Sequence, residues 1–324
     1  MYDGIWRFPR LRNSFERDNL LSLNEGNTPL QEVAGTDYGI PEFASLYLKR
    51  EDLNTHGSHK DRMVAFFINK CTDERIENIV LSSSGNAGIS MSHYAAEARI
   101  NLDLFLSPKT PQYKLDRIHP SANIHYSMKA KSAAIRFANE KGYYLFRGSK
   151  DKHGITGLKS IPYEIREKLE PTDIFLPVSS GNAALGIYYG YKDLYEDGEV
   201  NKIPRIHILQ TERVHPHVKF FYKERNFHSS RSSVARAIVD RVGHRKKEIR
   251  DMLLTTSGKG FILSDKEILA AHEIMLENGV KCSTEGSMGL AAISKIINEG
   301  DDILLKMRVP LIIVTGKGDK DEEN

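Results

Sequence analysis

Residues 173–186 read DIFLPVSSGNAALG, an apolar run of strand length that breaks at a Ser-Ser-Gly-Asn turn and continues as a helical pattern. The turn decides the reading of the whole chain because it occurs twice. Residues 78–87, NIVLSSSGNA, repeat the arrangement, with SSGNA at 83–87 here and at 179–183 in the other copy. A turn of this composition between a strand and a helix presents free N–H groups and the positive end of the helix dipole. Its glycine lets a ligand approach the backbone closely. Taken singly, each copy is also an ordinary capped turn, since Ser and Asn are common N-cap residues. A pair of such turns, in a chain that also sets Lys60 among small and polar residues in HGSHKDR, 56–62, favours two anions bound near one cation.

Outward from these turns, short apolar runs alternate with longer amphipathic segments. The runs are SLYLK (45–49), NIVLSS (78–83), NLDLFLS (101–107), NIHYS (123–127), YYLFRG (143–148), DIFLPV (173–178), RIHILQT (205–211) and PLIIVT (310–315). KSAAIRFANEKG and KEILAAHEIMLENG, each closed by glycine, read as helices. That alternation predicts an α/β protein with parallel sheets and crossover helices. No linker rich in Pro, Gly or Ser splits the chain, so two domains would have to be intertwined.

The composition agrees and narrows the classes. The 324 residues suffice for one large or two moderate domains, and 46 Lys and Arg against 43 Asp and Glu leave a formal charge of +3, too mild for bulk nucleic-acid binding. No apolar run reaches membrane-spanning length, and MYDGIWRFPR lacks the layout of a signal peptide, so a cytoplasmic protein is expected, with no nucleic-acid or membrane partner. Cys71 and Cys282 have neither CxxC nor Cys/His spacing. They read as packing residues, with no metal site and no disulfide framework.

In order along the chain, GIWRFPRLRN, NEGNTPL, HGSHKDR, SSSGNAG, VSSGNAALG and VTGKGDKD resemble the motif set of fold-type II pyridoxal phosphate enzymes, most closely threonine synthase. The resemblance runs from about residue 4 to 321. It implies two intertwined open-sheet domains with helices on both faces, as in tryptophan synthase β chains. Residues 1–49 and 148–324 would form the larger cofactor-binding domain, and 50–147 a smaller, mobile domain for the substrate carboxylate. It also implies pyridoxal 5'-phosphate as cofactor, an amino-acid substrate and a homodimer.

Residue by residue, the resemblance makes Lys60 the lysine that bonds the cofactor aldehyde and moves the substrate Cα proton. Such an amine must be unprotonated, and lysine pKa falls readily on burial. His59 would donate to the cofactor phosphate or simply pack. Ser179, Ser180, Gly181, Asn182 and Ala183 would hold that phosphate, with serine hydroxyls replacing some backbone contacts. Asn86 would bond the phenolic oxygen, and Ser83, Ser84, Gly85, Asn86 and Ala87 would receive the substrate carboxylate. Thr315 would meet the pyridine nitrogen, and Glu285 in STEGS lies on the substrate side. Four positions depart from the family pattern: His59 for Phe, Met63 for Gly, Gly286 for Pro and Asp319 for Leu. An inward Asp319 would change the chemistry at the ring nitrogen.

The segment from Arg213 to Lys259 has far more basic than acidic residues. It reads either as a solvated helical excursion or as a site for a substrate phosphate. Arg147, Lys150, Lys152 and His153 offer the same service. The resemblance therefore implies a lyase that removes phosphate from a phosphorylated amino acid, O-phosphohomoserine giving threonine. β-Replacement on O-phosphoserine and dehydration of serine or threonine remain open. A non-catalytic relative is the third reading, and the presence of Lys60, Asn86 and Thr315 argues against it.

Overall fold

A computed structural model describes residues 3–222 and 226–318, so Asp319 lies outside the described residues. Among the latter the strands are β1 (Leu30–Ala34), β2 (Ser45–Lys49), β3 (Asn78–Ser82), β4 (Asn101–Leu106), β5 (Asn123–Tyr126), β6 (Tyr144–Leu145), β7 (Asp173–Pro177), β8 (Arg205–Thr211), β9 (Gly260–Leu263) and β10 (Pro310–Ile313). They form two sheets in two compact units, Met1–Asn27 with Asn54–Ser160, and Thr28–Leu53 with Ile161–Asn324. The α/β class with two interleaved open sheets is thus the observed architecture.

The first unit is built on the sheet β5-β4-β3-β6, parallel throughout. Parallel strands cannot be joined by tight hairpins, so helices carry the crossovers. One of them, Ala130–Lys141, buries Ala134 and Ala138 against Val80 and Phe105. A second helix, Lys60–Asp73, packs against His153–Leu158 so closely that only glycines fit at the crossing. A Cβ on Gly157 would lie 2.1 Å from the Arg62 carbonyl oxygen, and one on Gly154 would lie 2.5 Å from Met63 Cγ. The bulk of Met63, where the family has glycine, is therefore matched by a glycine on the facing helix.

Of residues 1–49, which the sequence reading assigned to the larger domain, 1–27 cluster with this unit and 28–49 with the other. Aromatic packing explains it. Trp6 stacks on Phe66 at 6.1 Å and meets Phe15 edge-on at 5.4 Å, while Arg17 bonds Asp73 and the Asn69 side chain, each at 2.6 Å. The NEGNTPL motif has a structural use here. Buried Glu25 accepts hydrogen bonds from Tyr94 Oη at 2.6 Å, the Leu23 N–H at 2.9 Å and Ser22 Oγ at 3.1 Å.

The second unit carries the sheet β1-β2-β10-β7-β8-β9, parallel except for β1, which runs antiparallel to β2. Leu48, Phe175, Leu209, Leu263 and Ile312 form its core with Met288, Leu290 and Ile293 of the helix Thr284–Glu299. Gly289 lets that helix approach β10, since a Cβ there would meet Ile312 Cγ2 at 2.4 Å. Buried charges are paired. Lys49 bonds Glu164 at 2.7 Å, and Asp173 receives Arg205 at 2.7 Å and His207 at 2.9 Å. Burial alone would push the Asp173 carboxyl up, but these hydrogen bonds hold it below the ordinary carboxylate range. The eight runs read as strands all contain one; β1 and β9, at the sheet edges, are the two that sequence reading missed.

Gly157→Ala tests the helix crossing beneath Lys60. Its Cβ has no room without a backbone shift, so the variant is expected to lose about 1–3 kcal/mol in urea unfolding. An unchanged midpoint would show that the crossing is looser than described.

Candidate active site

In the first unit, HGSHKDR makes a turn through Gly57, at φ +81°, and delivers Lys60 as the first residue of its helix. The turn is locked by its own residues. The buried Asp61 carboxylate accepts the His56 N–H at 2.7 Å and contacts His56 Nδ1 at 3.1 Å, and buried Arg62 donates to Ser160 Oγ at 2.9 Å. His56 in turn stacks on His93 at 4.3 Å. Burial holds His93 below the ordinary histidine range, with His56 and His119 adding to the effect. Sequence reading had not singled out His56; its spacing of five from Asp61 was the available signal.

Lys60 keeps partial solvent exposure, yet its amine sits deep enough that burial brings it down to about 8. Among the described residues no carboxylate pairs with it. At pH 7 roughly a tenth of the amine is therefore unprotonated and nucleophilic, far more than at the ordinary lysine value. His59 is half-buried at the N-cap of the same helix, and its side chain makes no cap hydrogen bond.

The first SSGNA follows β3 and opens the helix Asn86–Glu97. Ser83, Ser84, Gly85, Asn86 and Ala87 are all half-exposed, and a Cβ on Gly85 would point into open space. Behind them, Gly88 is tight against the turn, with its Cβ position 2.1 Å from the Ser83 carbonyl oxygen. Among the described residues the side chains of Ser83, Ser84 and Asn86 make no hydrogen bond. The turn is thus an open cluster of donors at a helix start. Pairing of Val80 with Leu145 sets the half-buried Arg147 at the edge of the sheet that carries Ser83. Lys152 is exposed beyond it, just ahead of the helix His153–Leu158.

The second SSGNA follows β7 and opens the helix Asn182–Glu196, with Gly181 at its N-cap in the left-handed region, φ +94°. Here the turn is covered. Ser179 Oγ accepts N–H bonds from Val239 at 3.0 Å and Asp240 at 3.2 Å, and Asn182 Oδ1 accepts Arg245 Nε at 2.9 Å. In both bonds the Ser179 hydroxyl is the acceptor, which leaves its O–H proton to donate. Buried His217 contacts the Ser179 carbonyl through Nε2 at 3.2 Å.

Thr315 is buried just past the end of β10. Register between β10 and β7 pairs Ile312 with Phe175, which continued sets Thr315 level with Val178, one residue before the second SSGNA. The following turn is tied down by Ser283 N–H to Gly316 O at 2.9 Å and Gly318 N–H to Lys281 O at 3.1 Å. Gly286 explains the missing proline of STEGS: its N–H bonds Ser283 Oγ at 3.3 Å, and a Cβ would lie 2.8 Å from Cys282 Cβ. Glu285 accepts the Ala237 N–H at 2.7 Å, so its carboxylate braces residues 235–238. In the basic segment the described residues add a role that sequence reading did not assign. Its helices Pro216–Phe221 and Lys246–Thr256 flank an irregular stretch whose residues hold the second turn.

Each unit is thus a largely parallel α/β module with an SSGNA turn at a strand-to-helix junction, and one presents a desolvated lysine amine with no carboxylate partner among the described residues. Such an arrangement can hold anions and react with a carbonyl. Residues 21–307 match the model of the family described as pyridoxal-phosphate dependent enzyme, and the chain belongs to it. Its cofactor is therefore pyridoxal 5'-phosphate.

Among curated relatives, threonine synthase of Methanocaldococcus jannaschii is 25% identical, with 99% of this chain and 81% of that protein covered. Threonine synthase of Halalkalibacterium halodurans is 24% identical over 94% and 86%. Similar solved structures include a pyridoxal 5'-phosphate-dependent aspartate racemase, with a TM-score of 0.78 at 19% identity covering 91% of this chain and 92% of that one. Maize serine racemase has a TM-score of 0.76 at 19% identity, covering 90% and 88%. These show the fold-type II architecture.

Burial of Lys60 has a thermodynamic signature. The folded state holds this amine less basic than the unfolded chain does, so keeping it charged costs stability below about pH 8 and costs nothing above the unfolded value of 10.5. Cofactor-free Lys60→Met is expected to be more stable than the parent at neutral pH by up to about 3 kcal/mol, with the gap closing between the two pKa values. Urea midpoints across that range measure it; a gap independent of pH would place the amine in solvent.

Proposed function

We infer that this chain is a pyridoxal phosphate-dependent lyase that expels phosphate from a phosphorylated amino acid, with O-phosphohomoserine converted to threonine. The observation that carries the reading is the desolvated Lys60, without a carboxylate partner among the described residues, in a chain whose listed curated relatives are named threonine synthase and align over nearly its whole length.

The residues fit the cofactor's chemistry. An amine without a counter-charge suits a carbonyl, and a turn of unspent donors suits a carboxylate. When bound, pyridoxal phosphate supplies a sink for the electrons released at the substrate Cα. In this assignment Lys60 holds the cofactor and carries the proton removed from Cα. Ser83, Ser84, Gly85 and Ala87 orient the substrate carboxylate, and Asn86 donates to the phenolic oxygen. Ser179 to Ala183 receive the cofactor phosphate, chiefly through backbone N–H groups. His59 stands beside Lys60 as a further donor. Thr315 bonds the ring nitrogen through a hydroxyl, which cannot keep that nitrogen protonated as a carboxylate would. A hydroxyl at this place would suit loss of a leaving group better than transamination. Arg147 and Lys152 bind the substrate phosphate. Glu285 acts on the substrate side through the backbone it braces. A homodimer in the cytoplasm belongs to the same reading.

The test is a product screen of the purified protein with homoserine, serine and threonine and their O-phospho and O-acetyl forms. Inorganic phosphate and threonine from O-phosphohomoserine are expected, with borohydride fixing the pyridoxyl group on Lys60. Each charge-assisted contact contributes on the order of 1.5–3 kcal/mol. Arg147→Gln is therefore expected to weaken the phosphorylated substrate by about 10-fold or more while sparing free homoserine. Ammonia and keto acid from free serine or threonine, with no phosphate release, would replace this reading by a dehydratase.

A further inference from the structure

The carbonyl side of the second SSGNA turn is held by two buried side chains that sequence reading did not single out. Gln210, on β8, donates Nε2 to the Val178 carbonyl at 3.0 Å, and its Oε1 accepts the N–H groups of His217 at 3.0 Å and Val218 at 3.1 Å. The network fixes the orientation of that amide, because a flipped one would set its NH2 against two backbone donors. His217, held in this way, reaches the next carbonyl, with Nε2 3.2 Å from Ser179 O. Burial keeps His217 below the ordinary histidine range, so the ring is neutral with its proton on Nε2, facing the carbonyl. Among the described residues its buried Nδ1 has no partner, so the bond to Ser179 is the one use the ring makes of its polarity. A trans peptide sets its C=O and its N–H on opposite sides, and none of the described peptide bonds is cis. Anchoring the Val178 and Ser179 carbonyls toward Gln210 and His217 therefore turns the N–H groups of Ser179 and Ser180 the other way. Among the described residues those two N–H groups, and that of Gly181, make no hydrogen bond.

We propose that His217, itself held by Gln210, is a positioning residue of this turn, fixing the peptide between Ser179 and Ser180 so that its N–H faces the cofactor phosphate. The proposal rests on the assignment of that phosphate to Ser179–Ala183. His217 touches neither cofactor nor substrate in this role. It acts through the one carbonyl it bonds, and a side chain that fills the same space without a donor at the place of Nε2 leaves that peptide free to turn.

The experiment compares two ligands that differ only in the phosphate. The full chain, stripped of cofactor, is titrated with pyridoxal 5'-phosphate and with pyridoxal, and occupancy is read as borohydride-trapped label on Lys60. His217→Gln sets an amide N–H close to the place of Nε2, His217→Asn sets one close to the place of Nδ1, and His217→Leu sets none. His217→Leu and His217→Asn are expected to weaken pyridoxal 5'-phosphate by about 10-fold and leave pyridoxal unchanged, while His217→Gln keeps most of the parent's preference. Should His217→Leu not fold, the Gln and Asn variants carry the comparison, and their pyridoxal labelling reports that they are folded. A preference for the phosphorylated ligand that survives in His217→Asn, an equal loss for both ligands, or a His217→Gln no better than His217→Asn would overturn the proposal while leaving the cradle in place. A parent that binds both ligands equally would remove the cradle assignment itself, and the proposal with it.

Discussion

Parallel pairing of strands is the constraint on which the rest depends. Each strand must be left at its C-terminal end through a turn into a crossover element, so donors of successive turns gather along one edge of each sheet. In the second unit this sets the end of β10, with Thr315, level with the end of β7 that precedes the second SSGNA. In the first it sets Arg147 beside the end of β3 that precedes the first. Neither juxtaposition needs a side-chain contact to create it. Strand register is sufficient.

The second requirement is a lysine amine without a counter-charge, and the chain meets it by fixing everything around Lys60. The preceding turn closes on Asp61 through His56, the following residue Arg62 is buried against Ser160, and the helix behind is clamped at Gly154 and Gly157. Elsewhere the protein pairs its buried charges, as at Lys49 with Glu164 and at Asp173 with Arg205 and His207. Burying a charge without a partner is costly, so the amine responds by losing basicity. Chemistry and instability have the same origin at this residue.

Much of this was legible along the chain. Each run of apolar and β-branched residues marks a strand because alternation and burial are local properties, and the glycine stops of the helices ending at Lys141 and Glu277 fall within a residue or two of the expected place. Departures from the family pattern were visible, but their compensation was not. Met63 is answered by Gly154, 91 positions on, and Gly286 by the proximity of Cys282. Strand β1 was missed because LQEVA buries none of its residues fully, and β9 because GFIL is only four residues long and opens on glycine. The N-terminal segment was placed with the wrong unit because its partners, Phe66, Asn69 and Asp73, lie across a long stretch of chain.

By itself the sequence determined the two strand-turn-helix junctions and the residues offered at each, since turn composition and helix starts depend on near neighbours. Only the tertiary structure decided what each junction became. The same five letters put Gly85 at φ −103° with open space above it and Gly181 at φ +94° beneath Arg245 and Ile249. Among the described residues the serine and asparagine side chains of the first turn make no hydrogen bond, while in the second Ser179 and Asn182 accept from a distant segment. Local composition sets which conformations a turn can adopt with little strain. The choice among them falls to the side chains that pack over it, and these come from parts of the chain that no local pattern connects.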